Sequence, residues 1–331
     1  MTMSDEPPTG TVSAWAPPPY ADPHLFTEHD VTVGTGPLAV PGTVSVPKDR
    51  GPGPGVVLLS GGGHFDRDET SGPNKPLKDL AWGLAGLGIA VLRFDKATFA
   101  HSGFAASPDL TMSREYVPYA VDAVGLLGRR PEVDAGRVFV LGHSMGGKVA
   151  PLVATAEPSV AGLVVMAGDA QPMHHAAVRV ASHLSSVLPD QVPASLVETF
   201  AGQAALVDGP GLTSATPASE LPFGLPASYW LELRDYDPVA TAAALGKPML
   251  ILQGGRDYQV TVADDLARWR TGLAGRPGVD FRVFEADDHL FFPGAGPSTP
   301  ADYALPHHVD PAVVTGVADW LHRTRPTAVG R

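Results

Sequence analysis

Five short apolar runs punctuate the chain: GVVLLS (55–60), GIAVLRFD (88–95), RVFVL (137–141), VAGLVVMAG (160–168) and PMLILQGG (248–255). Each is continuous rather than alternating, the pattern of a strand covered on both faces. Between them the apolar period changes. Leu77, Leu80, Ala81, Leu84 and Leu87 fall on one helical face, and Val117, Ala120, Val121, Val124 and Leu127 repeat the spacing. A third helix is expected over 146–156. Later, Thr261 is placed to cap a helix carrying Val262, Leu266, Trp269 and Leu273, and DFRVFE (280–285) reads as a last strand. Asp310 and Pro311 open a final helix as N-cap and first residue. Near the start, HDVTV and TVSVP flank GTGPLAVPG, which reads as antiparallel strands joined by Gly/Pro turns. Strands alternating with helices specify an α/β fold with a mostly parallel central sheet and helices on both faces.

The segment 170–236 breaks this rhythm. It has helical patches and Pro/Gly breaks but no strand pattern, and it falls between two core strands. Structureless loops of that length are rare in compact domains. An inserted, mainly helical cap over the sheet ends is therefore expected, with the core formed by 23–169 and 237–331 and a flexible Pro-rich tail over 1–22. Phe200, Phe223, Tyr229 and Trp230 are the cap's candidates for lining an apolar pocket, with packing onto the core as the alternative for each.

The 331 residues carry a formal net charge of −12 and no cysteine. Without cysteine there are no disulfides, no thiolate catalysis and no Cys-based zinc site. Without a basic cluster, neither nucleic-acid phosphates nor an anionic membrane surface is an expected partner. No run approaches the roughly 18 to 20 apolar residues needed to span a bilayer. MTMSDEPPTG lacks the basic and apolar regions of a signal peptide, so the cytoplasm is the expected compartment. Whether the chain forms a homo-oligomer is left open.

VFVLGHSMGGKVA (138–150) holds the chain's single G-x-S-x-G, Gly142-x-Ser144-x-Gly146, with a strand before it and a helix after it. That context suits a serine nucleophile on a tight turn. A Ser hydroxyl needs a base in hydrogen-bond reach and a third group to orient that base. His289, after the last strand, is the candidate base. Asp257, just beyond the strand in LILQGGRDYQV, is the candidate acid, although Asp287 and Asp288 adjoin His289 and compete for that role. The oxyanion formed on attack needs two backbone N–H donors. Met145, directly after Ser144, is one. The other is expected from Ser60-Gly61-Gly62-Gly63, with Gly62 preferred to Gly63. His64, Asp66 and Asp68 have no second ligand cluster at metal-site spacing, so no metal is assigned. Asp66, Arg67, Asp68 and Glu69 are instead expected to pair with one another and fix the loop.

With GHSMGG, SGGGHFDRDE, GPNKPLKDLAWGLAGLGIAVLRFDK and LQGGRDYQV in place, the chain resembles the α/β-hydrolase superfamily over about residues 25–325. Bacterial esterases and dienelactone-hydrolase-like proteins are its nearest likeness. Their oxyanion loop usually begins His-Gly, and here Ser60 replaces the His. The resemblance implies hydrolysis of a small-molecule ester with an apolar part, through an acyl-enzyme and without a cofactor. A peptidase, thioesterase or carbon–carbon hydrolase on the same triad stays open, as does a non-catalytic binding protein. Peptidases of the prolyl-oligopeptidase type usually carry a large N-terminal propeller, and a thioesterase would want cations for coenzyme A, where the cap offers Arg179 and Arg234.

Overall fold

A computed structural model describes residues 15–48 and 50–325. Strands β1 (Phe26–Val33) and β2 (Val40–Pro47) pair antiparallel across the expected Gly/Pro turn, where Gly34 and Gly36 adopt positive φ. The remaining strands are β3 (Gly53–Leu59), β4 (Ala90–Phe94), β5 (Val133–His143), β6 (Leu163–Met166), β7 (Met249–Gly254) and β8 (Val279–Phe284). They complete an eight-stranded sheet ordered β1-β2-β4-β3-β5-β6-β7-β8, parallel from β4 to β8.

Strand side chains alternate between two helical layers. Phe139 and Leu141 of β5 face α1 (Pro76–Gly86) and the C-terminal helix, while Val138 and Val140 face the opposite layer. All four are at most 1% exposed, and each burial contributes about 1.5 to 3 kcal/mol. After β4 come the single turns α2 (Ala97–Ala100) and α3 (Ser102–Ala105), then α4 (Met112–Gly128), with Thr111 accepting the Arg114 N–H at its N-terminus. Helix α4 and α5 (Met145–Ala156) form the second layer. Two expected helix faces are adjusted. Leu87 is 41% exposed because α1 ends at Gly86, and α4 turns Tyr116, Tyr119 and Ala123 inward while Val117 and Val121 stay half-buried.

The segment 170–236 contains α6 (Met173–Val187), α7 (Ala194–Asp208) and α8 (Ala227–Asp235), and no strand. Helix α9 (Pro238–Ala244) leads back to β7, and α10 (Ala267–Gly272) follows a turn capped by Thr261. In α11 (Pro311–Arg323), Asp310 accepts the Ala312 N–H and Pro311 opens the helix, as the sequence indicates. The stretch expected to be a flexible tail is packed from Trp15 onward. The Trp15 indole N–H donates to Asp79 at 2.8 Å, its ring meets Trp82 edge-on, and Ala21 is buried. Aromatic burial there outweighs the disordering tendency of the prolines; residues 1–14 lie outside the described residues.

Strand order reverses between β3 and β5, since β4 lies on the far side of β3. In open α/β sheets such a reversal leaves a crevice at the carboxyl ends of the strands, where ligands bind. Leu59 at the end of β3 pairs beside Gly142, and His143 pairs beside Met166. The glycine loop and the Ser144 turn therefore meet at that edge.

Candidate active site

Ser144 leaves β5 with φ 53° and ψ −118°, in the left-handed half of conformational space. For a non-glycine residue such a conformation costs on the order of 1 to 3 kcal/mol, and surrounding contacts must hold it. Its N–H donates to Met166 O at 2.9 Å, and its carbonyl takes the Lys148 N–H as the first bond of α5. The two flanking glycines are required by backbone approach. A Cβ at Gly142 would overlap the Gly146 carbonyl, and one at Gly146 would overlap Leu59 O and lie 2.7 Å from Ser60 O. Met145 is the first residue of α5, so its N–H has no partner within the helix.

Asp257 and His289 stand in the turns after β7 and β8. The His289 Nδ1–H points at Asp257 Oδ2, 2.7 Å away. Gln253 Nε2 donates to the same oxygen at 3.0 Å, and the N–H groups of Gln259 and Val260 hold Oδ1 at 2.8 and 2.9 Å. The carboxylate is thus fixed on both oxygens and is 6% exposed. Of the competing acids, Asp288 caps its own turn by accepting the Leu290 and Phe292 N–H groups. Asp287 is fully buried, and its carboxyl is pushed up to about 7 by burial, then by the charges of Asp310 and Asp288. Neither reaches the imidazole. Gly254 permits this arrangement, because a Cβ there would strike the carbonyls of Asp288 and Asp287.

His143 connects the two loops. It is buried, with Nδ1 2.9 Å from Glu69 Oε1 and Nε2 2.8 Å from the carbonyl oxygen of His289. Burial opposes its charge, but the Glu69 carboxylate outweighs that and raises its pKa. The recorded hydrogen bonds of His289 run to Asp257 and His143 and none runs to Ser144. Such nucleophile–base contacts commonly tighten only when substrate is bound.

Most side chains of the acidic run beside the glycine loop pair outside it, contrary to expectation. Arg67 binds Asp95, Asp68 binds Arg93 and Lys75, and Glu69, at φ 55°, accepts the Gly61 N–H at 2.7 Å. Only Asp66 stays local, accepting from Asp68, Thr70 and Glu69 through side chain and backbone. Strand charges that need partners draw the run into the core instead. Gly61 N–H is thereby occupied, while the Gly62 N–H has no acceptor among the described residues. His64 Nδ1 lies 3.1 Å from Thr98 O, consistent with a loop contact. Among the described residues one group has metal-ligand spacing: His174, His175 and Asp208, whose ligand atoms lie within 4.8 Å of one another. Both imidazoles instead contact the Asp208 carboxylate, at 2.8 and 2.7 Å.

A cavity of about 570 Å³ opens over Ser144, Met145, Gly62 and Gly63. Ala177, Val180, Ala181 and Leu184 of α6 form one wall, and Leu196, Phe200 and Phe223 another. The rings of Phe200 and Phe223 lie 5.4 Å apart in this lining. Tyr229 and Trp230 are not in the lining. Trp230 is fully buried behind Phe223, and the Tyr229 hydroxyl donates to Glu115. Both lie on the inner face of α8, so their apolar area goes to the core. The cavity's one carboxylate, Asp169, is paired with Lys148 at 3.0 Å.

A sheet of this order, with Ser144 on a left-handed turn after its central strand, defines the α/β-hydrolase architecture. The chain belongs to this superfamily and is a serine hydrolase: the family described as serine aminopeptidase, S33 (Hydrolase_4) matches residues 75–271. It is 39% identical over 305 residues to Esterase EstD of Thermotoga maritima, covering 92% of this chain and 69% of that one. Among solved structures it is similar to an esterase from Pyrococcus furiosus (TM-score 0.56, 17% identity, 91% of this chain and 92% of that one). It is also similar to an acylaminoacyl peptidase from Pyrococcus horikoshii (TM-score 0.56, 12% identity, 93% of this chain and 43% of that one). No helix among the described residues is long and apolar enough to cross a membrane.

Proposed function

We propose that the protein hydrolyses carboxylic esters with an apolar acyl or alcohol part through an acyl-enzyme on Ser144. The observation that carries this reading is the 2.7 Å Asp257–His289 hydrogen bond, tied by His143 to the turn that presents Ser144. Ser144 Oγ attacks the acyl carbon as His289 Nε2 takes its proton, and Asp257 holds the Nδ1–H tautomer. The N–H groups of Met145 and Gly62 receive the oxyanion. The departing alcohol takes the proton from His289, and water then repeats the sequence to free the acid. The helical segment 170–236 acts as the cap and supplies the apolar wall.

Cavity chemistry favours esters over the other substrates of this triad. An aminopeptidase needs an unpaired carboxylate for the substrate ammonium, and Asp169 is already neutralised by Lys148. A coenzyme A thioester needs free cations. Arg179 is held by Asp264 and Asp265, and Arg234 by Asp235. The test is a parallel assay of p-nitrophenyl esters, thioesters and aminoacyl anilides, with fluorophosphonate labelling of wild type and Ser144→Ala. Ser144→Ala is expected to lose roughly 10⁴-fold or more in kcat and all labelling while keeping its melting temperature. Near-normal ester turnover in that variant refutes the nucleophile, and anilides outrunning esters refutes the substrate class.

A further inference from the structure

Lys96 is a buried cation that the ester chemistry above does not use. It follows β4, its side chain is 3% exposed, and its three N–H donors have three acceptors. These are Gly61 O at 3.0 Å, the Tyr116 hydroxyl at 2.7 Å and Glu115 Oε1 at 3.1 Å. Accepting one N–H of Lys96, the Tyr116 hydroxyl donates in turn toward the same Gly61 O at 2.7 Å, with Ser60 O 3.1 Å away. Glu115 is satisfied in turn by the hydroxyls of Thr98 at 2.6 Å and Tyr229 at 3.0 Å.

That carbonyl belongs to the peptide unit whose N–H is Gly62. The chain has no cis peptide among the described residues, so Gly61 C=O and Gly62 N–H point in opposite directions across one rigid plane. Holding the carbonyl down toward Lys96 and Tyr116 turns the N–H out toward the cavity, where Gly62 stands with a Cβ position 3.7 Å from Met145 Cβ. The preceding plane is pinned as well, because Glu69 accepts the Gly61 N–H. Three successive glycines left unbonded would sample many orientations. Here both planes are fixed, and the Gly62 N–H on the second of them has no acceptor among the described residues.

We propose that Lys96, acting with Tyr116, is a positioning residue that aims the Gly62 N–H at the oxyanion. The assignment rests on the ester-hydrolase reading, in which that N–H receives the developing charge. It is tested in the full chain with Lys96→Met and Tyr116→Phe, using a p-nitrophenyl ester and an alkyl boronic acid whose serine adduct carries a negative tetrahedral centre. Losing one oriented donor costs roughly 10²- to 10³-fold in kcat. Lys96→Met is therefore expected to lose about 10²-fold in kcat with KM within about threefold, and the boronic acid to weaken in parallel. Tyr116→Phe, which leaves Lys96 on the carbonyl, is expected to lose roughly tenfold. A folded Lys96→Met with wild-type kcat and boronate affinity, or a loss confined to KM, overturns the proposal. Should Lys96→Met not fold, Tyr116→Phe decides by the same two readouts. Ser144→Ala separates the two readings: its turnover refutes the nucleophile, whereas an inactive Ser144→Ala beside a fully active Lys96→Met refutes the positioning role alone.

Discussion

Replacing Asp287 by Asn should reverse part of the protein's pH dependence of stability without stopping catalysis. The carboxyl is fully buried, and burial with the neighbouring charges of Asp310 and Asp288 pushes it up to about 7. In the unfolded chain the same group gives up its proton near the ordinary value of about 3.9. The folded state therefore binds the extra proton between roughly pH 4 and pH 7. Its stabilisation is complete below pH 4 and is lost as pH rises through that window. About three units at 1.36 kcal/mol each set an upper bound of roughly 4 kcal/mol, of which about 2 to 3 kcal/mol falls between pH 5 and pH 8. Asp287→Asn has no proton to lose, so its stability relative to wild type should rise by that amount across the interval. Urea unfolding of both proteins at pH 5 and pH 8, followed by tryptophan fluorescence, measures the difference and cancels the titrations not coupled to Asp287. An offset equal at the two pH values would refute the argument, and a loss of turnover in the variant would refute the choice of Asp257 over Asp287.

Asp257→Asn should lower kcat by roughly 10³- to 10⁴-fold in steady-state ester hydrolysis, since the amide favours the wrong tautomer of His289. Asp288→Asn should cost less than about tenfold in kcat, whereas Asp288→Ala should lower the unfolding free energy by about 1 to 3 kcal/mol, because it removes the oxygen that caps Leu290 and Phe292. Trp230→Ala should destabilise by about 3 to 5 kcal/mol in chemical denaturation, as expected for a fully buried indole. Phe223→Ala, at a side chain 56% exposed on the cavity wall, should leave the melting temperature nearly unchanged and alter the ranking of acyl chain lengths.

The sheet was legible because its strands are buried on both faces, which writes them as continuous apolar runs. The Ser144 turn was legible because two backbone approaches permit only glycine at 142 and 146. Asp257 stands out from its two rivals in the sequence by its place just after a strand and by the Ser, Asp, His order, and in the structure it lies 2.7 Å from His289. What could not be read are pairings between residues distant in sequence. His143 meets the carbonyl of a residue 146 positions later, and Lys96 meets Gly61 across a crossover helix. Charged residues in DRDE carry no mark of which strand will claim them. The left-handed conformation of Glu69 is equally silent, because nothing but its surroundings imposes it. Trp230 shows the opposite hazard. An aromatic in an inserted segment suggests a pocket, yet the helix face that carries it points to the core.

The helical insertion has a consequence for how such a protein can diverge. Strands β6 and β7 are parallel neighbours, with Met166 beside Leu252, so the chain leaves β6 at the carboxyl edge of the sheet and α9 carries it back to the start of β7. The sheet asks of residues 170–236 only that they deliver the chain to α9. Closing a flexible connection grows with the logarithm of its length, about 0.6 kcal/mol for each doubling. A lineage, or a designer, can therefore trade one wall of the cavity for another while strand register and the Ser144 turn pass on unaltered. Selectivity and reactivity become separately heritable, provided an exchanged segment still offers Glu115 the hydroxyl that Tyr229 now supplies.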